Sequence, residues 1–303
     1  MPASLKSVWE FFKKPKGAAY LFILPALLTL LIFIVIPLVY AIVISFQNLT
    51  LFLAPAKFIG LINFSHLLKD DRFWNALKNS FYFLLEVPIQ VILGLLVAVV
   101  LSKNTGFRKF ARTVFFIPVI CSLTAIAIVW SFMLDPQIGI LPYYLYHLGL
   151  PHLQFLNDPT MAMPTIILTT VWKNFGLTMM ILIAGIQGIP TAYYEASEID
   201  GASSIVQFFR ITLPLLVPSL GFCIVTNTIG SLQVFDQIYV MTQGGPLYST
   251  ETMVMYIFNV GFSTPPFNIS YASAIAVVLF VIIMVISLLL NNYLTRRETV
   301  DIS

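Results

Sequence analysis

Six long runs of apolar residues divide this chain, at approximately 18–46, 80–102, 113–134, 161–189, 211–241 and 271–294. A helix needs about 20 predominantly apolar residues to cross the hydrocarbon of a bilayer, where water is absent and each backbone N–H and C=O must find its partner within the segment. All of these runs meet that requirement, so the pattern predicts six transmembrane helices. Pro25, Pro37, Pro88, Pro118 and Pro218 fall inside them and predict kinks, because proline lacks the N–H that bonds the carbonyl four residues back. The expected fold class is an all-α integral membrane domain over 18–294, preceded by a cytoplasmic segment 1–17 and followed by a cytoplasmic tail 295–303.

The two termini are placed on the cytoplasmic side by their cations. Loops there carry the excess of Lys and Arg. With the amino end inside, that side holds Lys6, Lys13, Lys14 and Lys16, then Lys103, Arg108, Lys109 and Arg112, then Arg210, and finally Arg296 and Arg297. The opposite side has two connections, 135–160 and 242–270, with no Lys or Arg, and a third, 47–79, that runs against the trend with Lys57, Lys69, Arg72 and Lys78. The lysines ahead of the first run superficially resemble a secretory signal, but the run is too long and lacks a small-residue cleavage site.

Composition agrees with the pattern. The 303 residues are 59% hydrophobic and 10% charged, where a soluble domain carries roughly a quarter charged residues. The net charge of +3 is spread over short clusters beside apolar runs, which are topology signals and not a nucleic-acid-binding stripe. Cys121 and Cys223 lie inside apolar runs, and His66, His147 and His152 in connections, so neither a redox pair nor a metal site is expected. No Gly-x-x-x-x-Gly-Lys-Ser/Thr loop is present to hold nucleotide phosphates. Nor does any cluster of nucleophile and base support an enzyme.

The most informative stretch is the inside loop 190–214. Pro190 disfavours continuation of the fourth helix, Thr191 is a candidate cap for a short new one, and Gly201 supplies a permissive backbone for a sharp turn. Glu195 and Glu198 stand three apart and share a face of the first arm, while Ile205, Phe208 and Phe209 form an apolar ridge on the second. Such a hinged bracket suits a socket on another protein.

Glu195-Ala196-Ser197, Gly201, Ile211 and Leu213-Pro214 resemble the coupling-loop signature of binding-protein-dependent ABC permeases, with Ser197 where the family pattern has a second alanine. The stretches Phe58-Ile-Gly-Leu-Ile-Asn-Phe64, Phe73-Trp-Asn-Ala-Leu-Lys-Asn79 and Thr242-Gln-Gly-Gly-Pro246 look like the carbohydrate branch of that family. The resemblance implies a type I importer permease with six transmembrane helices. Its loop, at Glu195, Ala196, Ser197, Glu198, Gly201, Ile205, Phe208 and Phe209, would dock on a separate ATPase. It also implies a second, distinct permease, two ATPase copies, an extracytoplasmic solute-binding protein and a sugar-like substrate. ATP and Mg would be held by the ATPase subunits and no cofactor by this chain. A self-sufficient channel or secondary carrier for a small polar solute is the alternative, and it leaves the bracket without a purpose.

Within the spans, Asn227 and Ser231 stand four apart on one face, with Thr228 and Gln233 beside it. Hydroxyls and amides serve a solute path and ordinary helix packing equally. The resemblance to maltose-type members favours the path for Asn227 and Ser231, and adds Asn174 and Val119. Trp172 either stacks on a sugar or packs, and packing is the favoured reading. Glu86 and Lys173, both in the outer halves of their spans, are expected to form a structural intramembrane pair, favoured over a proton or substrate role. Asp236 is assigned no role.

Overall fold

The computed structural model describes residues 15–50, 53–151 and 153–300. Lys6, Lys13, Lys14 and His152 lie outside them, as do most of the predicted 1–17 segment and the last residues of the tail. The described chain falls into two compact units. One comprises the residues up to His66 together with Val260–Val277, the other Leu67–Asn259 and the residues from Val278 onward.

In the first unit, α1 (Pro15–Leu30) passes through a π-helical turn at Leu31–Val35 into α2 (Ile36–Ser45). Most side chains from Phe22 to Val43 are exposed and apolar, a surface stable only against lipid or another apolar face. A two-stranded antiparallel hairpin follows, β1 (Gln47–Thr50) and β2 (Leu53–Phe58), with Gln47 opposite Phe58. Buried Asn63, on α3 (Ile62–Leu67), donates its amide to the carbonyls of Ser45 at 2.8 Å and Gln47 at 2.9 Å. It thereby satisfies an orphan carbonyl at the end of α2. Phe64 packs on Phe46 with ring centroids 5.4 Å apart. The 58–64 motif thus fastens the exit of the first span.

The second unit is built on α4 (Asp71–Phe83), α5 (Glu86–Leu101), α6 (Gly106–Ile120), α7 (Leu123–Met133) and α8 (Ile140–His147). There follow α9 (Ala162–Gln187), α10 (Thr191–Ile199), α11 (Ser204–Gln207), α12 (Leu213–Leu215), α13 (Val217–Leu232), α14 (Asp236–Met241) and α15 (Met253–Phe258). α16 (Ile269–Val300) carries the chain through most of the predicted tail as one helix. α9 is the most buried of these helices because α5, α6, α13 and α14 all pack on it. Val87, Val91, Ala98 and Leu101 of α5 meet Met179, Leu182 and Ile183 of α9 in a shared core. The two helices approach so closely that a Cβ on Gly94 would lie 2.9 Å from the Thr178 methyl. The hydroxyls of Thr165, Thr169 and Thr170 bond back to carbonyls of their own helix at 2.7–2.9 Å, which lets polar side chains sit in an apolar core.

Among the described residues, four helical stretches are long and apolar enough to cross a membrane: Phe22–Ser45, Asp71–Leu101, Ala162–Gln187 and Ile269–Leu294. The expected third and fifth spans are not straight helices. α6 and α7 meet at 95°, where Cys121 and Ser122 leave helical geometry, and Ser204–Leu215 meets α13 at 64°. The described segments therefore give up to six spans if each bent pair is one. Pro218 stands in the first turn of α13, just past the bend, where the missing N–H is an orphan anyway, whereas Pro37 lies just past the π-helical turn inside the continuous stretch Phe22–Ser45. Pro25 and Pro118 remain inside their helices. The second span starts earlier than predicted because Asp70 caps α4, accepting from the backbone N–H of Arg72 at 2.9 Å and of Phe73 at 3.3 Å.

Candidate functional site: a polar cavity and a hinged loop

α13 and α9 bring Asn227, Ser231 and Asn174 to one cavity of about 270 Å³, shared with Glu86, Thr170, Gly230, Gln233, Asp236 and Gln237. Phe83 and Phe235 add aromatic surface. Asn227 donates to the Thr178 hydroxyl at 3.1 Å, which also accepts from Gln90 at 3.0 Å. Ser231 donates to the Phe83 carbonyl at 3.3 Å, satisfying the end of α4 where the chain breaks at Leu84 and Leu85. Glu86 opens α5 just after that break. Asn174 and Ser231 line the cavity beside it.

The expected Glu86–Lys173 pair does not form. Lys173 places its ammonium 3.4 Å from the Val119 carbonyl and 3.5 Å from the Asn174 side-chain oxygen. Similar depth fixes only one coordinate of a helical residue. Successive residues point about 100° apart, and Asn174, one step on, is the residue that faces Glu86. Val119 and Trp172 do not line the cavity. Val119 presents its carbonyl to Lys173, and Trp172 meets Trp130 edge-on with centroids 5.4 Å apart. Asp236, given no role from sequence, opens the short α14 and lines the cavity. The break at 233–235 that turns it inward carries no clear sequence signal.

The loop 190–214 forms two short arms. Pro190, not Thr191, is the cap residue of α10, and Thr191 is its first helical residue with no side-chain capping bond. α10 ends where Gly201 adopts φ +76°. There the Gly201 N–H bonds the Glu198 carbonyl at 3.0 Å and the Ala202 N–H that of Ser197 at 2.9 Å. These two bonds are a Schellman closure, which requires the left-handed residue that glycine supplies without strain. The Ser197 hydroxyl donates to the Tyr194 carbonyl at 2.8 Å and accepts from the Gln207 amide at 2.9 Å, and Tyr194 bonds the Thr212 hydroxyl at 2.9 Å. Ser197 thus ties the arms together. Glu195, Ala196 and Glu198 are exposed. Ile205 and Phe209 are exposed as well, and Tyr193 and Ile199 add exposed apolar surface on the first arm. Phe208 is half-buried and packs edge-on against Phe209 at 5.0 Å.

A third cluster was not foreseen. Glu251, fully buried, accepts a two-pronged bond from Arg72 at 2.6 and 2.7 Å and a further one from Asn259 at 2.6 Å. Asn75 and Asn79 both donate to the Tyr248 carbonyl at 2.9 Å, and the Arg72 guanidinium lies 4.1 Å from the Tyr248 ring centroid. The available signal was Arg72 itself, a cation on the wrong side of the charge count, which an acid in the cation-free connection 242–270 was available to meet.

Similarity to known proteins agrees with this geometry. The chain is 37% identical over 296 residues to the probable ABC transporter permease protein YesP of Bacillus subtilis, covering 95% of this chain and 94% of that one. It is 35% identical over 267 residues to the trehalose/maltose transport system permease protein MalF of Thermococcus litoralis, covering 88% and 89%. Its fold superposes with a TM-score of 0.82 at 26% identity on a chain of a bacterial ABC transporter involved in the import of the acidic polysaccharide alginate, covering 96% of this chain and 99% of that one. Residues 75–300, which hold both the cavity and the hinged loop, match the family of binding-protein-dependent transport system inner membrane components, and the chain belongs to that family.

Proposed function

We propose that this permease passes a small polar solute, a sugar or oligosaccharide, inward across a bacterial cytoplasmic membrane, with ATP hydrolysed by partner subunits. The observation that carries the reading is the cavity. In a membrane domain, hydroxyls, amides and a carboxylate gathered around a void replace the hydration a sugar loses, and the flanking aromatic faces suit the apolar side of its ring. Relatives named for trehalose and maltose transport support the same solute class.

The partners follow from the family. A second, distinct permease supplies the other wall of the path, two ATPase copies bind ATP and Mg, and an extracytoplasmic protein delivers the solute. Glu195, Glu198 and the ridge of Ile205, Phe208 and Phe209 engage the ATPase, and both termini lie on its side of the membrane. The two arms, locked by Ser197 and Gln207, move as one piece when the ATPase closes, and such rigid displacement is what opens a path elsewhere in the domain.

Replacing Asn227 with leucine tests the cavity. The Asn227→Leu transporter is expected to copurify with its partners and retain ATPase activity while solute uptake falls at least about tenfold, the scale on which a lost polar contact and a blocked path act together. Wild-type uptake by that variant would discard the cavity as the route.

A further inference from the structure

The cavity carries charge of one sign. Glu86 and Asp236 both line it, and no Lys, Arg or His does. Lys173 stands behind the wall, with its ammonium against the Val119 carbonyl and the Asn174 side-chain oxygen.

A second observation concerns Gln237, which lines the same cavity and is 2% exposed. The Thr170 hydroxyl lies 2.7 Å from the Ile166 carbonyl and 2.5 Å from the Gln237 amide. The shorter separation fits O–H···O, so the Thr170 hydroxyl donates to the Gln237 side-chain oxygen and the Ile166 carbonyl shares the proton at longer range. The Gln237 side-chain nitrogen has no hydrogen-bond partner in the protein. A buried polar atom without a partner costs about 1–3 kcal/mol, so it marks a place that a polar solute or water fills.

Resting on the reading of this cavity as part of the path, we infer that its wall admits uncharged or amine-bearing polyhydroxylated solutes and rejects anionic ones, with Glu86 accepting hydrogen bonds from neighbouring hydroxyls of the solute. A carboxylate has two oxygens and accepts from two adjacent hydroxyls at once. Asn174, Asn227 and Gln237 supply amides able to donate or accept. A phosphate, sulfonate or carboxylate on the solute meets two like charges and no lining cation, in surroundings where such repulsion is weakly screened. A transporter of the same fold is involved in the import of an acidic polysaccharide, so the fold does not itself dictate this preference. The lining side chains do.

The test reads the field inside the cavity and needs no knowledge of the natural solute. Gly230 lines the cavity, and a Cβ there meets no atom within 4 Å, so Gly230→Cys places a thiol in open space. In the complete transporter, with Cys121→Ser and Cys223→Ala removing the native thiols, the rates of modification by a trimethylammonium-bearing and a sulfonate-bearing methanethiosulfonate are compared. Each is normalised to its rate with 2-mercaptoethanol. The cationic reagent is expected to be favoured at least about tenfold, the scale on which charged clefts concentrate counter-ions. Adding Glu86→Gln and Asp236→Asn is expected to return the ratio to that of the free thiol. A free-thiol ratio before neutralisation, or a ratio that neutralisation leaves unchanged, overturns the charge inference. A thiol that neither reagent modifies overturns the cavity's place in the path instead.

Discussion

Glu251 has no contact with solvent, and its carboxylate is held by the planar fork of Arg72 with Asn259 alongside. Breaking a buried pair from one side strands a charge at a cost of about 3–5 kcal/mol. Because Arg72 keeps 30% of its side-chain surface exposed, the lower end applies. Arg72→Ala is expected to cost about 3 kcal/mol, read as a lowered melting temperature of the purified complex. Arg72→Lys recovers only part, since an ammonium cannot reproduce the two-pronged geometry. A melting temperature that neither change moves removes the pair as a stabilising element. Gly201→Val makes a similar demand on one residue, forcing a β-branched side chain into positive φ at a cost of about 1–2 kcal/mol. It is expected to loosen the Schellman closure and reduce ATPase retention on copurification. Chemistry at this scale was partly legible. Asn227 and Ser231 share a face by simple spacing, and both reach the cavity. Glu86 and Lys173 show the limit, because hydropathy reports how deep a residue lies and leaves its direction around the helix open. The hydrogen bond from Gln207 to Ser197 was illegible for a related reason, as alanine and serine differ little in size and only the position of the second arm gives the hydroxyl its role.

The existence of the apolar elements was legible, and their ends and shapes less so. α9 fits its predicted span because α5, α6, α13 and α14 pack on it, although Lys173, Asn174 and several threonines interrupt its apolar run. The third and fifth spans also pass as apolar spans but bend by 95° and 64°. Hydropathy sums composition along a window, whereas bends depend on which backbone groups lose partners. In the fifth span Pro214 and Pro218 remove two donors on either side of Leu216, where the chain turns. The loop 190–214 was legible as two arms because proline and glycine punctuate it. Its exposed acids make the prediction for this element. Glu195→Lys is expected to reduce ATP-driven uptake and ATPase copurification together while the permease still reaches the membrane, as a reversed charge at the proposed docking face costs partner affinity. Uptake and copurification both at wild-type level would remove Glu195 from the contact.

For the whole molecule, orientation rests on the distribution of cations, with the connection 47–79 as its one exception. Arg72 is held there by Glu251, but the rule counts cations and not net charge. Tags at either end are expected to be shielded in intact cells and labelled only after permeabilisation, and labelling from outside would invert the assignment. The exposed apolar side chains from Phe22 to Val43 must lie against lipid or another apolar face. Which chain lies beside them is not written in this sequence, because a face built for lipid and a face built for another permease have the same composition.

The bend between α10 and α11 has a consequence for how the protein comes into being. Its closing hydrogen bonds join residues no more than 18 positions apart, whereas the cavity takes its walls from Phe83 through to Gln237. Closing a short loop is fast and costs little entropy, and distant walls must wait for each other. During synthesis, the surface proposed for the ATPase can therefore take shape as soon as its own stretch has left the ribosome, before the last helix of the permease has been made.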